Sequence, residues 1–204
     1  MEYEIVDVTN WKDKKFLYKC ISPMPYRKRK KRSEYLKKAI PNGLKKKILY
    51  WKGDPVGQIE YAPANYSGYP IYGEKLLILN CIWVLRKAKG HRFGKILMNE
   101  MIRQEKWANA IATIGLEGHW SPWMKKQQME YLGFKSIDAI KVKSLYKKQG
   151  YIFKIHLMWL PLKPEASKPR WDKNKMLEGV QFCIAHPLYH PQKIAERNIF
   201  KLER

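Results

Sequence analysis

Lys87, Lys89, His91, Arg92 and Lys95 crowd around two glycines, Gly90 and Gly94, in the stretch VLRKAKGHRFGKILMNEM, residues 84–101. These residue types at this spacing suit anion binding. The first amides of a helix lack internal partners and sit at the positive end of the helix dipole, so a glycine-bearing turn that opens a helix makes a seat for a phosphate. Lysine and arginine around such a turn add charge pairing. The same letters also describe a plain strand-to-helix turn with glycines for tightness. The elements on either side decide between the two.

Other reactive side chains are scattered. Cys20, Cys81 and Cys183 lie far apart with no CxxC spacing. That argues against a disulfide framework or a structural zinc site and fits a reducing cytoplasm. His186 and His190 are four apart, but each precedes a proline, which disfavours a shared helix face, so no metal site is expected. Cys81 lies in an apolar run and is either a nucleophile or a core residue.

The elements that must position the basic turn can be read from periodicity. MEYEIVDVT alternates like a strand, and residues 10–40 mix apolar and basic positions in a helical manner up to Pro41-Asn42-Gly43. ILYWKGDPVGQIEY reads as a hairpin around Lys52-Gly53-Asp54-Pro55. After a loop rich in Pro, Gly and Tyr, KLLILNCIWVL is almost wholly apolar, as in a strand buried on both faces. A helical stripe follows over Gly94–Ala110, then a short strand in IATIGLEG (111–118). This strand, helix, strand unit requires two parallel strands, with the basic turn at the carboxyl end of the first. Ser121-Pro122 opens a second helix that closes at Gly133, and FKSIDAIKVKSLY and YIFKIHLMWL give two more strands. Residues 1–160 thus form one domain. Residues 161–204, with prolines at 161, 164, 169, 187 and 191, read as an extended wrap with one short helix near its end.

Charge and composition narrow the classes. A 45% hydrophobic and 13% aromatic chain of 204 residues is too apolar to be disordered. It shows no apolar run long enough to cross a membrane and no secretory leader, so a soluble cytoplasmic protein is expected. The formal charge of +23 attracts polyanions and anionic cofactors. The densest basic patch, YRKRKKRSEYLKK (26–38), is either a nucleic-acid footprint or the solvated face of a helix.

In this context the basic turn resembles motif A of the GNAT superfamily, the GCN5-related N-acetyltransferases, with the pattern V-x-x-x-x-R/Q-G-x-G-x-G/A. Val84 closes the strand, Lys89 takes the basic position, and Gly90 and Gly94 take the first and last glycines. Arg92 stands where the middle glycine belongs, a departure. MEYLGF (129–134) resembles the family's Y-E-K-x-G-F helix ending, and the element order over residues 2–160 is similar to the whole family fold. The tail is faintly similar to that of the YoaP-like branch.

The resemblance implies an α/β (α+β) fold: a mixed central sheet with splayed parallel strands, flanking helices and a C-terminal extension. It implies acetyl-CoA as cofactor, with its pantetheine arm on the backbone of Ile82 and Val84. Its pyrophosphate would lie on the amides of Lys89, Gly90, His91, Arg92, Phe93, Gly94 and Lys95. The implied reaction is direct acetyl transfer to a primary amine, without metal. The tyrosine that usually supplies the acid is replaced by Met129, Tyr131 falls on a different helical face, and the asparagine near that helix start is absent, with Ser121 and Pro122 in its neighbourhood. Glu60 is the favoured base and Glu117 the second. Tyr61, Tyr66, Tyr69, Tyr72, Trp120 and Trp123 either pack or line the acceptor mouth. The rival expectation is a basic nucleic-acid- or ribosome-associated binding module that keeps the fold with weak catalysis; an acetyltransferase acting on an RNA-bound amine combines the two.

Overall fold

The alternating start of the chain forms strand β1 (Tyr3–Asp7). It leads a computed structural model that describes residues 2–10, 15–21, 30–120, 122, 124–145, 149–177 and 200–203. Among its described residues, the mixed apolar and basic region forms the helices α1 (Lys15–Tyr18) and α2 (Lys30–Ala39). The hairpin is present as β2 (Lys45–Trp51) and β3 (Asp54–Pro63), with Lys52 and Gly53 at positive φ in the turn. The loop that follows carries the short strand β4 (Ile71–Tyr72). The apolar run becomes β5 (Leu76–Val84), which is followed by α3 (Phe93–Gln104), β6 (Ala110–Glu117), α4 (Lys126–Tyr131), β7 (Lys135–Ser144) and β8 (Ile152–Pro161).

Among the described residues, eight strands form one sheet in the order β1-β2-β3-β5-β6-β8-β7-β10, with β10 (Phe200–Leu202) supplied by the last described segment. The β5–β6 pair is parallel, as the intervening helix requires, and the other neighbours are antiparallel. The sheet and its helices have the mixed α/β architecture expected from the chain's pattern. No helix among the described residues is long and apolar enough to cross a membrane.

Helices cover both faces. On one, Phe93, Leu97, Met98 and Met101 of α3 and Met129 of α4 are buried in a core that includes Ile59, Leu77 and Leu79. On the other, Phe16, Leu17, Leu36 and Ala39 pack on Val6, Val8, Ile48 and Ala62. Each fully buried Val, Leu, Ile, Phe or Met side chain contributes about 1.5–3 kcal/mol.

One difference from the sequence pattern has a physical reason. Helix α4 has six residues, starting well after Ser121-Pro122, because Leu116 first bridges to Lys125 and carries the chain along the sheet. Its end does follow the pattern. Gly133 has φ +99°, Gly133 N–H donates to Glu130 O, and Phe134 N–H donates to Met129 O, a Schellman-type close. Near the carboxyl end, residues 200–202 form a strand on the outer edge of β7, whose backbone groups they satisfy, while residues 178–199, where the tail's expected short helix could fall, lie outside the described residues. Finally, Ser121, Trp123, Cys183, His186, His190 and the start of the 26–38 patch lie outside the described residues.

Candidate active site

Strands β5 and β6 are in register only at Leu76–Ala110, Leu77–Ile111 and Ile78–Ala112, although β5 continues to Val84 and β6 to Glu117. Two features part them. The Thr113 hydroxyl donates to Leu79 O at 2.6 Å, occupying a carbonyl on the β6 side of the strand. One residue later β5 bulges: Glu60 of β3 faces Cys81 and Tyr61 faces Leu79, leaving Asn80 as the extra residue. Beyond that point the strands splay.

The carboxyl end of β5 opens on a cavity of about 450 Å³. Ile82, Trp83 and Val84 form one wall, and Lys89, Gly90, Arg92, Phe93 and Gly94 the end at the helix mouth. Gln128, Met129, Tyr131 and Leu132 close it from α4. Gly90 is at φ +87° and a Cβ there would meet nothing within 4 Å, so its role is conformational, and the turn leaves open space. Arg92 caps α3 from the left-handed region at φ 57° and makes no side-chain cap, so the first amides of a twelve-residue helix keep the free donors of any helix start. Arg92 and Lys89 are exposed. This geometry fits an elongated anion with its phosphates on the amides.

Seven of the nine residues assigned to cofactor contact line this cavity; His91 and Lys95 do not. The His91 ring packs against Trp51 at 4.4 Å and Phe93 at 5.4 Å, and the Lys95 ammonium lies 4.4 Å from the centre of the Tyr131 ring. Their backbone amides stay at the helix start. Lys87, part of the same basic cluster, pairs with Asp54.

The carboxylates assigned to proton transfer are placed otherwise than expected. Glu60 is 1% exposed. Arg32 of α2 grips it in bidentate fashion, Nη1 to Oε1 at 3.0 Å and Nη2 to Oε2 at 2.8 Å, while Lys46 Nζ lies 3.4 Å from Oε2. Arg32 and Lys46 are themselves buried and donate to the carbonyls of Leu17 and Lys19. Both Glu60 oxygens are therefore committed to cations on the α1–α2 side, and the residue does not line the cavity. Tyr35 beside this cluster has its phenol pushed up, by burial first and by the Glu60 charge second.

Glu117 stands at the end of β6 among Lys154 at 3.1 Å, His156 Nε2 at 3.3 Å and Lys126 at 3.7 Å. Hydrogen bonds from Lys154 and then His156 hold its carboxyl below the usual range, which makes it a weak proton acceptor. His156 is nearly buried, and that burial lowers its imidazole pKa despite the Glu117 charge; its Nδ1 lies 2.8 Å from Ser136 Oγ.

Cys81 is fully buried and Gln58 Nε2 lies 3.1 Å from its sulphur, a core placement. Tyr61 and Tyr69 are buried, Tyr66 and Tyr72 exposed, and Trp120 stacks on His119 at 4.0 Å. Met129 lines the cavity. Tyr131 lines it as well, since it is the last helical residue and sits at the mouth. Sequence reasoning passed over Trp83, Gln128 and Leu132; the first was legible as the alternate residue between Ile82 and Val84, whereas the others depend on how α4 lies.

The sequence matches no protein-family model and no curated protein. Its fold, however, matches solved structures. A protein described as a GNAT-family acetyltransferase from Desulfovibrio desulfuricans superposes with TM-score 0.56 at 15% identity, over 78% of this chain and 99% of that one. An N-acetyltransferase from Staphylococcus aureus Mu50 gives 0.55 at 13%, over 80% and 100%. A ribosomal-protein-alanine N-acetyltransferase from Brucella melitensis gives 0.52 at 14%, over 79% and 100%. The chain therefore has the fold of the GNAT acetyltransferases.

Proposed function

We propose that this chain is an N-acetyltransferase that moves an acetyl group from acetyl-CoA to a primary amine by direct transfer. The observation that carries the reading is the cavity formed where β5 leaves β6, with the uncapped start of α3 at one end. The amides at the helix start, with Lys89 and Arg92 beside them, would hold the pyrophosphate. The backbone of Ile82 and Val84, on the side that β6 vacates, would hold the pantetheine arm, and Met129 and Leu132 would give it an apolar wall. Acetyl-CoA supplies an activated thioester. The chain then contributes position, since holding two reactants together replaces much of the entropic barrier.

Proton balance needs no outside reagent. The amine nitrogen bonds to the acetyl carbon, the carbon–sulphur bond breaks, and one proton leaves nitrogen while one ends on sulphur. Glu60 is sealed in its ion cluster and Glu117 is surrounded by cations, so the amine enters neutral, and solvent relays the proton past Met129. Placement in the YoaP-like branch rests on the tail alone.

The first test is thermal. Acetyl-CoA raises the melting temperature if it binds the folded chain, and charge reversal at Lys89 or Arg92 removes the rise. Coenzyme A that changes nothing, together with RNA binding that weakens steeply with salt, would instead support the binding-module reading. That second reading is favoured by one structural feature besides the +23 charge: Lys141 faces Lys154, and Lys143 faces Lys201, across neighbouring strands.

A further inference from the structure

Strands β7 and β8 alternate between core and solvent. Ile140, Val142 and Ser144 of β7 and Phe153 and Ile155 of β8 are buried, while Lys141 and Lys154 between them are exposed and Lys143 is half-buried. Register then stacks the outward residues: Lys141 faces Lys154, and Lys143 faces the exposed Lys201 of β10. Residues opposite each other in such a pair have Cβ atoms about 4.5–5.5 Å apart, and residues two apart on one strand lie about 7 Å apart. The four ammonium groups therefore form a zigzag across three neighbouring strands. Like charges directly opposite destabilise a sheet, so this array asks for an explanation.

Elsewhere the chain neutralises its strand lysines. On β2, Lys45 pairs with Asp7 at 3.8 Å, Lys46 with Glu60 at 3.4 Å and Lys47 with Glu100 at 3.2 Å. Lys173, just past β9 (Arg170–Trp171), pairs with Asp138 at 2.8 Å. Within the array Lys154 has Glu117 at 3.1 Å, but among the described residues Lys141, Lys143 and Lys201 make no ion pair within 4.0 Å. One carboxylate stands beside them. Glu203 N–H donates to Lys141 O at 2.8 Å, which continues the β10 ladder and sets the Glu203 side chain, two residues past Lys201, on the same face. At the rim of this face, where β8 begins, Tyr151 is 38% exposed and its hydroxyl donates to Gly118 O, next to Glu117.

We propose that this face of β8, β7 and β10 seats a single strand of RNA, with its phosphates on Lys141, Lys143, Lys154 and Lys201 and a base reaching Tyr151 at the rim. The proposal deepens the binding reading given above, on which it rests, by giving it a place. A row of solvent-facing cations suits a row of phosphates, because each contact releases condensed counterions. An exposed aromatic ring takes any base, since every base has a π-face. Glu203 repels phosphate but accepts a hydrogen bond from a ribose 2′-hydroxyl, the group that tells RNA from DNA. The cavity at the end of β5 lies under α3 and α4, away from these lysines, so acetyl-CoA and RNA do not compete for one place.

The test titrates the full chain into a fluorescein-labelled oligouridylate and its DNA counterpart, read by anisotropy at several salt concentrations. The triple variant Lys141→Gln, Lys143→Gln, Lys201→Gln is expected to bind the RNA about tenfold or more weakly, with a slope of log affinity against log salt shallower by about 2, since each lost single-strand phosphate contact removes about 0.7. A second triple, Lys30→Gln, Lys37→Gln, Lys38→Gln, removes the same charge from α2 and is expected to change affinity less than about threefold. Native protein should prefer RNA to DNA, and Glu203→Ala should bring the two within about twofold. RNA binding that survives the first triple, or is lost in the second, puts the footprint elsewhere, and the proposal falls while the binding reading stands. No RNA binding by the native chain ends both and leaves the acetyl-CoA melting test untouched. Equal displacement by polyglutamate at matched charge, or binding to phosphatidylserine vesicles in place of RNA, marks a surface for acidic protein or lipid and also overturns the proposal. Should the first triple not fold, Lys143→Gln alone decides, with a slope shallower by about 0.7 expected and an unchanged slope overturning the proposal.

Discussion

Replacing Glu60 by Gln separates a catalytic carboxylate from a structural one. The side chain keeps its shape and loses its charge, so Arg32 and Lys46, 2% and 0% exposed, lose the counter-charge that Glu60 supplies. Removing one partner of a buried ion pair costs about 3–5 kcal/mol, because the remaining charge stays desolvated. For a chain of this size each kcal/mol lowers the melting temperature by about 2–4 °C, so a fall of about 6–20 °C is expected. Circular dichroism melts of the two proteins read it directly. Thiol release at a temperature where both are folded should be little changed, since Glu60 does not line the cavity. The double variant Glu60→Gln with Arg32→Met should recover part of the loss, as residues in one network couple. A melting temperature shifted by less than about 2 °C, together with a large loss of turnover, would refute the reasoning and return Glu60 to the role of base.

Further outcomes follow from single contacts. Arg92→Gly removes a left-handed arginine at φ 57° and should stabilise the free protein by about 0.5–1 kcal/mol, the αL strain less the entropy of glycine, seen as a higher denaturant midpoint. Gly115→Ala places a Cβ 3.0 Å from both Lys126 Cα and Met158, so α4 must shift; a destabilisation of about 1–3 kcal/mol and weaker acetyl-CoA binding are expected. Burial holds the His156 imidazole below its ordinary 6.5, so the unfolded chain takes up the proton first as pH falls. Its contribution to stability is therefore complete above about 6.5 and declines as pH drops through the lowered value, and His156→Gln should flatten that part of a midpoint-against-pH curve. The depressed Glu117 carboxyl behaves alike further down, contributing above its ordinary 4.5 and fading as pH falls through its folded value.

Much of this architecture is written in local patterns. An almost wholly apolar run such as LLILNCIWV, bounded by turn residues, suits a strand covered on both sides, and a strand, helix, strand unit suits a parallel pair, so the centre of the sheet was legible in the sequence. Gly90, Gly94 and the cations around them marked the helix mouth because backbone freedom and exposed charge are properties of single residues and their neighbours. The fate of Glu60 was not legible in this way. Its partner Arg32 lies 28 residues off in sequence, and an alternating strand pattern tells which face a side chain takes but not which distant cation waits there. The same holds for Asn80, whose bulge exists because β3 and β5 slip by one residue against each other, and for Tyr131, brought to the cavity by a helix that stops after six residues. Periodicity and capping are short-range and readable along the chain; ion pairing, register and the meeting of two elements at one cavity arise from contacts between segments far apart, which only the packed chain brings into being.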